Sequence, residues 1–250
     1  KEIAVSLFLV KEWCLLLITG SANGIGSQIA LNFASLGATL VLWDMDDEVF
    51  AYHCDCSNRE EVYEKADKVR YSFCGDVTIL INNAGILLGK KFCDILDADF
   101  EKTLRVNFLS QVWTCKAFLP AMMTCNRGHL VSTTSAAGLL GVYNYAGSNY
   151  AIIGMMETLD SEMYHAGKQG IKTTIICPYF INTELAKNRK EDTNNDNNNN
   201  NKMTIIIIKE LEYTNQVMRN AIAHHSLSNA QLVPKQQSRP PPGELSQFIY

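Results

Sequence analysis

Thr19-Gly20-Ser21-Ala22-Asn23-Gly24-Ile25-Gly26 follows the apolar run Cys14 to Ile18 and precedes an amphipathic segment, Gln28 to Leu36. That order is a strand, a glycine turn and a helix start. Gly20 permits the tight turn, Gly24 lets backbone N–H groups approach a pyrophosphate, and Gly26 allows the helix to pack closely on the strand. The phosphate would then sit at the positive end of the helix, with Ser21, Asn23 and Ile25 filling the loop between the glycines. An ordinary βα turn can also carry three glycines, so the surroundings decide.

The run Ala38 to Trp43 reads as a second strand, and it ends in Asp44, 18 residues beyond Gly26. That spacing fits the acidic residue that accepts hydrogen bonds from an adenosine ribose. A carboxylate there repels a 2′-phosphate, and no Arg or Lys lies between Lys11 and Arg59 to offset it, so Asp44 argues for NAD over NADP. The other reading is a solvated acid in Asp44-Met45-Asp46-Asp47-Glu48; the distance from the glycines favours the ribose.

The 250 residues, 47% hydrophobic with net charge −4, suffice for one sizeable core and offer no basic excess for nucleic acid. Eight cysteines are scattered without a paired framework or zinc spacing, which indicates reduced thiols and no metal. Ile3 to Val10 is apolar but far short of the about 20 residues a bilayer requires. It reads either as a packed strand or, with slightly more weight, as the remnant of a longer anchor spanning residues 1–13.

Strands and helices alternate from Leu15 onward. Strands are expected at Leu15 to Thr19, Ala38 to Trp43, Phe50 to Cys54, Val77 to Asn82, His129 to Thr133 and Lys172 to Cys177. Helices are expected at Gly26 to Leu36, Arg59 to Phe73, around Phe100 to Met123 and around Tyr145 to Tyr164. The pattern is α/β, a doubly wound parallel sheet in a single domain over residues 14–186. A low-complexity insert follows over 187–203, with seven asparagines between Glu191 and Asn201. The segment 204–250 diverges, with an Ile-rich stretch at Thr204 to Leu211, a helix through Ala223 and a proline-rich tail at Pro234 to Gly243.

With these motifs in view, the chain resembles a short-chain dehydrogenase/reductase of Rossmann fold from about Leu15 to Leu185. The carriers are Thr19 to Gly26, Asp55, Asn82-Asn83-Ala84-Gly85, Asn107, Ser135-Ala136-Ala137-Gly138, Tyr145 and Pro178 to Thr183. Lys116 to Met122 and Gly170 to Thr174 are similar to the membrane-associated branch holding epidermal retinol dehydrogenases and 17β-hydroxysteroid dehydrogenases.

The resemblance implies that Asp55 bonds the adenine amino group and that Asn83, Ala84 and Gly85 let the backbone pass the cofactor at the sheet's carboxyl edge. It places Pro178, Ile181 and Thr183 on the nicotinamide, although Tyr179 stands where the family usually has glycine. Ser135 would donate to the substrate oxygen and Tyr145 act on it as general acid or base. The family sets a lysine four residues after the tyrosine, because a phenol of pKa about 10 is a poor base at neutral pH. Here that position is Asn149, an amide without charge. Tyr164 to Lys168 repeats the tyrosine–lysine spacing, but 29 residues past Ser135, where a helix C-terminus calls for a cation anyway. Asn107 would support a water relay to that lysine, or else be a structural asparagine that kinks its helix.

Two connections are short. Nine residues separate Ser135 from Tyr145, fewer than the family usually has, which puts the reach of Tyr145 to Ser135 in question. Five residues separate Asp44 from Phe50, where a parallel crossover normally takes about a dozen and a helix. One face of the sheet should then lose its cover, unless another segment supplies it or the chain is a shortened version of a working enzyme. The resulting reading is an NAD(H)-dependent oxidoreductase acting on a lipophilic alcohol of retinol or steroid type; the alternative is a catalytically inactive relative kept as a cofactor-binding or interaction module. The resemblance further implies a homodimer and a location on the cytosolic face of the endoplasmic reticulum membrane or a lipid droplet, with the cytoplasm as alternative.

Overall fold

The computed structural model describes residues 14–46, 52–73, 75–88, 92–136 and 145–178, the single residues Ile181, Thr183 and Leu185, and the backbone of 205–208. The expected anchor over 1–13, the asparagine tract, the helix through Ala223 and the proline-rich tail lie outside them.

Strand β1 (Leu15–Thr19) is buried along its whole length, as a continuous apolar run must be when both faces of a parallel sheet are covered. The glycine turn leads into helix α1 (Gly24–Ser35), then β2 (Thr39–Asp44), β3 (Tyr52–His53), α2 (Arg59–Phe73) and β4 (Ile79–Asn82). Helix α3 (Asp97–Leu104) runs through a π turn at Arg105–Leu109 into α4 (Ser110–Cys125), followed by β5 (Gly128–Thr133), α5 (Tyr145–His165), β6 (Ile171–Pro178) and β7 (Ile205–Ile208). The sheet order is β3-β2-β1-β4-β5-β6-β7. The first six strands are parallel and β7 pairs antiparallel to β6. This is the expected doubly wound sheet. The one long helix expected near Phe100 to Met123 is instead interrupted by the π turn, which periodicity alone cannot reveal.

Helix α2 shows why the sequence folds as it does. Val62, Ala66 and Val69 recur at helical spacing and are fully buried, while Glu64, Lys68 and Arg70 face solvent or its edge. Asn58 caps it by accepting from the Glu60 and Glu61 N–H groups at 3.1 and 3.3 Å. With α4 and α5 this helix covers one face of the sheet, over a core holding Leu17, Val41, Trp43, Leu80, Phe118, Leu130 and Met156. Helix α1 lies on the other face, over Leu16, Ile18, Ile79 and Ile81.

The short connection after Asp44 has the consequence expected on one face only. Val41 and Trp43 are sealed, Trp43 against the Phe118 ring with centroids 5.8 Å apart. Leu40 and Leu42, pointing to the α1 side, stay half-buried. Strand β3, expected at Phe50 to Cys54, is described at Tyr52–His53 and ends one residue before Cys54, with residues 50 and 51 outside the described set. It holds parallel register through Trp43 with Tyr52 and Asp44 with His53, and the Cys54 N–H donates to the Asp44 carbonyl at 2.8 Å.

His129 in β5 is buried, with Nε2 against Thr174 Oγ1 at 2.8 Å, and burial plus the charge of Lys172 lowers its pKa from 6.5 to about 4. Its neutral form is therefore the one the fold accepts. The stability it contributes is complete above the unfolded value and is lost as pH falls through the 6.5 to 4 window, by on the order of 3 kcal/mol. Thermal melts at pH 7.5 and 4.5 should differ less in His129→Gln than in the original chain; equal acid sensitivity in the two would show that His129 does not carry it.

Candidate active site

The carboxyl edge of the sheet collects the expected residues. Gly20 adopts φ +64°, and a Cβ there would meet Ala84 Cα at 2.7 Å, so both the turn and the closeness to the β4 end require glycine. A Cβ on Gly26 would overlap the Gly20 carbonyl oxygen. The two strand ends are stitched together. Thr19 Oγ1 accepts from the Asn83 and Ala84 N–H groups at 3.0 and 3.1 Å, and Asn83 Nδ2 donates to the Thr19 and Gly20 carbonyls at 3.2 and 2.9 Å. Asn82, buried beside them, accepts from Thr114 Oγ1 at 2.7 Å.

The loop is tied to β2 as well. Gly20 N–H and Ser21 N–H donate to the Trp43 carbonyl at 2.9 and 3.3 Å, and Ala22 N–H donates to Asp44 Oδ2 at 2.8 Å. Asp44 Oδ1 accepts from the Met45 and Asp46 N–H groups at 2.8 and 3.2 Å. The carboxylate is thus held at the tip of β2 beside the glycine loop. Asn23, at the start of α1, makes no side-chain cap bond, and the first turn carries no acid, so the positive helix end is left to an anion. Asp55 Oδ1 accepts from Ser57 N–H at 2.8 Å in the turn before α2. The Thr183 methyl lies 3.2 Å from where a Gly24 Cβ would be, and Thr183 N–H donates to the Ile181 carbonyl at 2.8 Å. Pro178 is buried and its carbonyl accepts from Ala136 N–H at 2.9 Å. A cradle lined by glycines, an uncapped helix end and a fixed carboxylate fits a dinucleotide.

Beyond β4 lies the second cluster. Ser135 and Tyr145 come within each other's influence: the side chains of Asn149 and Ser135 both act on the Tyr145 phenol, each favouring its ionised form. The short connection between them therefore does not separate them. Burial raises the Tyr145 pKa, and Asn149 and Ser135 only partly counter it. Asn149 is buried and its Nδ2 also donates to the Tyr145 carbonyl at 2.8 Å.

Asn107 sits in the π turn. Its Oδ1 accepts from Ile86 N–H at 2.8 Å, and its Nδ2 donates to the Ile86 carbonyl at 3.0 Å and to Ser148 Oγ at 3.2 Å. Ser148 Oγ in turn donates to the Tyr145 carbonyl at 2.9 Å. The asparagine so links the chain leaving β4 to the helix that presents the phenol. Thr19 and Ser148 were not singled out in the sequence; a hydroxyl just before the first glycine and one just before Asn149 were the only signals.

Residues 15–194 match the short chain dehydrogenase family. Epidermal retinol dehydrogenase 2 of Mus musculus is 48% identical over 188 residues, covering 68% of this chain and 60% of that protein. Estradiol 17-beta-dehydrogenase 11 of Homo sapiens is 41% identical over 192 residues, covering 70% and 64%. A solved structure described as ElxO with NADP bound superposes with TM-score 0.65 at 28% identity, covering 70% of this chain and 77% of the other. The chain belongs to the short-chain dehydrogenase family. It spans about 60% of the length of curated relatives it matches, such as epidermal retinol dehydrogenase 2.

Removing the Asn107 amide leaves both polar groups of Ile86 unpaired and releases Ser148. Asn107→Ala should cost about 2–3 kcal/mol, each group deprived of its partner costing about 1–3 kcal/mol less what water recovers. A denaturant midpoint unchanged in that variant would contradict the link.

Proposed function

We propose that this chain is an oxidoreductase that interconverts a lipophilic alcohol, of retinol or steroid type, and its carbonyl with NAD(H). The observation that carries the reading is the meeting of Ser135 with the Tyr145 side chain next to a glycine-lined cradle. The bound nicotinamide would supply or accept the hydride. The loop Gly20 to Gly26, with Ser21, Asn23 and Ile25, would hold the pyrophosphate at the α1 terminus, and Asp55 the adenine. Asn83, Ala84, Gly85, Pro178, Ile181 and Thr183 would flank the nicotinamide half. Ser135 would donate to the substrate oxygen, Tyr145 would exchange a proton with it, and Asn149 would hold a ribose hydroxyl. Asn107, acting through Ser148, positions the tyrosine helix and is no catalytic residue in its own right.

Asp44 supports NAD over NADP. Its carboxylate is fixed by three backbone donors and a 2′-phosphate beside it would meet like charge, a penalty of about 1 kcal/mol or more per charge pair at contact distance. The ElxO structure holds NADP in a related fold, so the preference rests on Asp44 and not on the fold. The relatives' names, a retinol dehydrogenase and an estradiol dehydrogenase, support a lipophilic alcohol. Attachment to a membrane or lipid droplet on its cytosolic side, through the apolar Ile3 to Val10 region, is part of the same reading, as is a homodimer; no helix among the described residues is long and apolar enough to cross a membrane. A wholly soluble pool on fractionation of the native product would count against attachment.

Asn149 favours a second reading, a cofactor-binding module without turnover, because an amide cannot stabilise a phenolate as an ammonium does. Two measurements separate these. Fluorescence titration should give tighter binding of NADH than NADPH, with the gap narrowed in Asp44→Ala; equal or tighter NADPH binding removes the Asp44 assignment. Alcohol oxidation at neutral pH should be weak and should rise by about 10²–10⁴-fold in Asn149→Lys, the usual worth of general acid–base catalysis, and vanish when Tyr145→Phe is added. Robust oxidation that survives Tyr145→Phe would show that the phenol is not the proton-transfer group.

A further inference from the structure

We propose that Gln111 is a positioning residue for Ser135: its side-chain amide takes the place of a missing sheet hydrogen bond at the exit of β5 and so fixes the serine, two residues further on, against Tyr145. The proposal rests on the oxidoreductase reading above and adds a residue to the site it describes.

The sheet itself creates the need. Gly128, Thr134 and Ala136 donate their N–H groups to the β6 side, at the Gly170, Ile176 and Pro178 carbonyls, whereas His129 N–H donates to the Thr78 carbonyl just before β4. Backbone groups of successive residues in a strand point to opposite neighbours, so the Thr133 carbonyl faces β4. In the register that pairs Ile79 with His129 and Asn82 with Ser132, its donor would be the Ala84 N–H. That group is turned elsewhere. It donates to Thr19 Oγ1 at 3.1 Å, as Asn83 N–H does at 3.0 Å, because the chain leaving β4 is drawn toward β1. Strand β5 therefore stays paired with β6 as far as Thr133 with Ile176, but with β4 only as far as Ser132.

Helix α4 supplies the substitute. Gln111 Nε2 donates to the Thr133 carbonyl at 3.3 Å. A carbonyl only accepts, so a single orientation of the amide makes this bond. Asn107, Gln111 and Thr114 recur at helical spacing along the π turn and the start of α4, and they are 4%, 2% and 0% exposed. A stripe so deeply buried is ordinarily apolar, as it is again at Phe118. Here each polar group meets the chain at the cleft instead: Asn107 at Ile86, Gln111 at Thr133 and Thr114 at Asn82. Of these three bonds only that of Gln111 reaches β5. Gln111 Oε1 has no partner among the described residues, a cost that an apolar side chain would avoid in a position serving the core alone.

Loss of the amide frees the β5 exit on its β4 side. Thr134 and Ala136 still hold that exit to β6, so the fold survives while Ser135 gains room to shift. Against burial, which raises the Tyr145 pKa, Asn149 and then Ser135 act on the phenol in favour of its ionised form. A displacement of about 1 Å in such a group can cost about 10²-fold in rate. Because the bond from Ser135 to the substrate oxygen strengthens as charge develops there, the loss falls on kcat rather than on KM.

The test reads the influence of Ser135 on Tyr145 without turnover. The full chain labelled with ¹³Cζ-tyrosine is compared by NMR at neutral pH with Ser135→Ala, Gln111→Met and the double variant, and the Tyr145 signal is identified by its loss in Tyr145→Phe. Gln111→Met keeps the length of the side chain but cannot donate. It should move the signal in the same direction as Ser135→Ala, and the double variant should move it no further than Ser135→Ala alone. Gln111→Glu, whose carboxylate accepts but cannot donate, should give the same shift and stands in if Gln111→Met does not fold. Arg70→Ala frees the Ala117 carbonyl in the middle of α4 and controls for a general loosening of that helix; it should leave the signal in place. A signal unmoved by Ser135→Ala or by the Gln111 variants, a Gln111 shift that adds to that of Ser135→Ala, or an equal shift in Arg70→Ala overturns the proposal. In reduction of retinaldehyde with NADH, Gln111→Met should lower kcat by about tenfold or more with KM changed by less than about twofold; an unchanged kcat overturns the proposal equally. If the original chain neither binds NADH nor reduces the aldehyde, the oxidoreductase reading fails, and the NMR comparison still decides whether Gln111 holds Ser135.

Discussion

The site depends on one seam, the contact between the end of β1 and the end of β4. In the order β3-β2-β1-β4-β5-β6-β7 the chain departs to the left from β1 and to the right from β4, so these neighbours are where the connections part and a cleft opens. The cleft is held to a fixed width by Thr19 and Asn83, which exchange hydrogen bonds through Thr19 Oγ1 and Asn83 Nδ2. Glycine at position 20 is what lets the strands come that close, because a Cβ would meet Ala84 at 2.7 Å. From this seam the glycine loop reaches β2 through Trp43 and Asp44, and the β4 exit reaches Asn107 at Ile86. Cofactor cradle and phenol therefore share one rigid edge.

The phenol stands one helical turn from a buried amide, Asn149. A lysine in place of Asn149 would have to bury an ammonium at a residue that is 1% exposed, which costs several kcal/mol unless a phenolate or a ligand pairs with it. Asn149 carries no charge to bury, and its amide donates to the Tyr145 carbonyl at 2.8 Å. That bond keeps the helix start ordered, while burial favours the protonated phenol. Asn107 contributes to the same order from the other side, through Ser148, and the π turn that carries it gives its side chain the reach to Ile86.

The short segment after β2 leaves the two faces of that strand unequally covered. The face of β2 that carries Val41 and Trp43 is covered by α2 and α4, elements that come later in the chain and do not depend on the connection from β2 to β3. The other face relies on α1, which reaches Leu40 and Leu42 only in part. Each of those leucines forgoes a share of the about 1.5–3 kcal/mol that full burial would contribute. The parallel register of β3 survives as a two-residue bridge because Trp43 and Asp44 still present their backbone groups to Tyr52 and His53.

Local chemistry made much of this legible in the sequence. The run Leu15 to Thr19, the three glycines and Asp44 carry their meaning through neighbours in the chain, since strand period, turn conformation and helix start are short-range properties. Alternation of strands and helices sufficed for the doubly wound sheet, and motif spacing for the residues at its carboxyl edge. Tertiary structure alone decided whether Ser135 and Tyr145 come together, because a span of nine residues permits contact or separation and only the packing of α5 against β6 and the π turn chooses. It also decided that β3 is a bridge, that the long helix holds a π turn around Asn107, and that β7 runs antiparallel. These depend on which groups are left to be satisfied once distant segments have come together, and that is not encoded in any one stretch of chain.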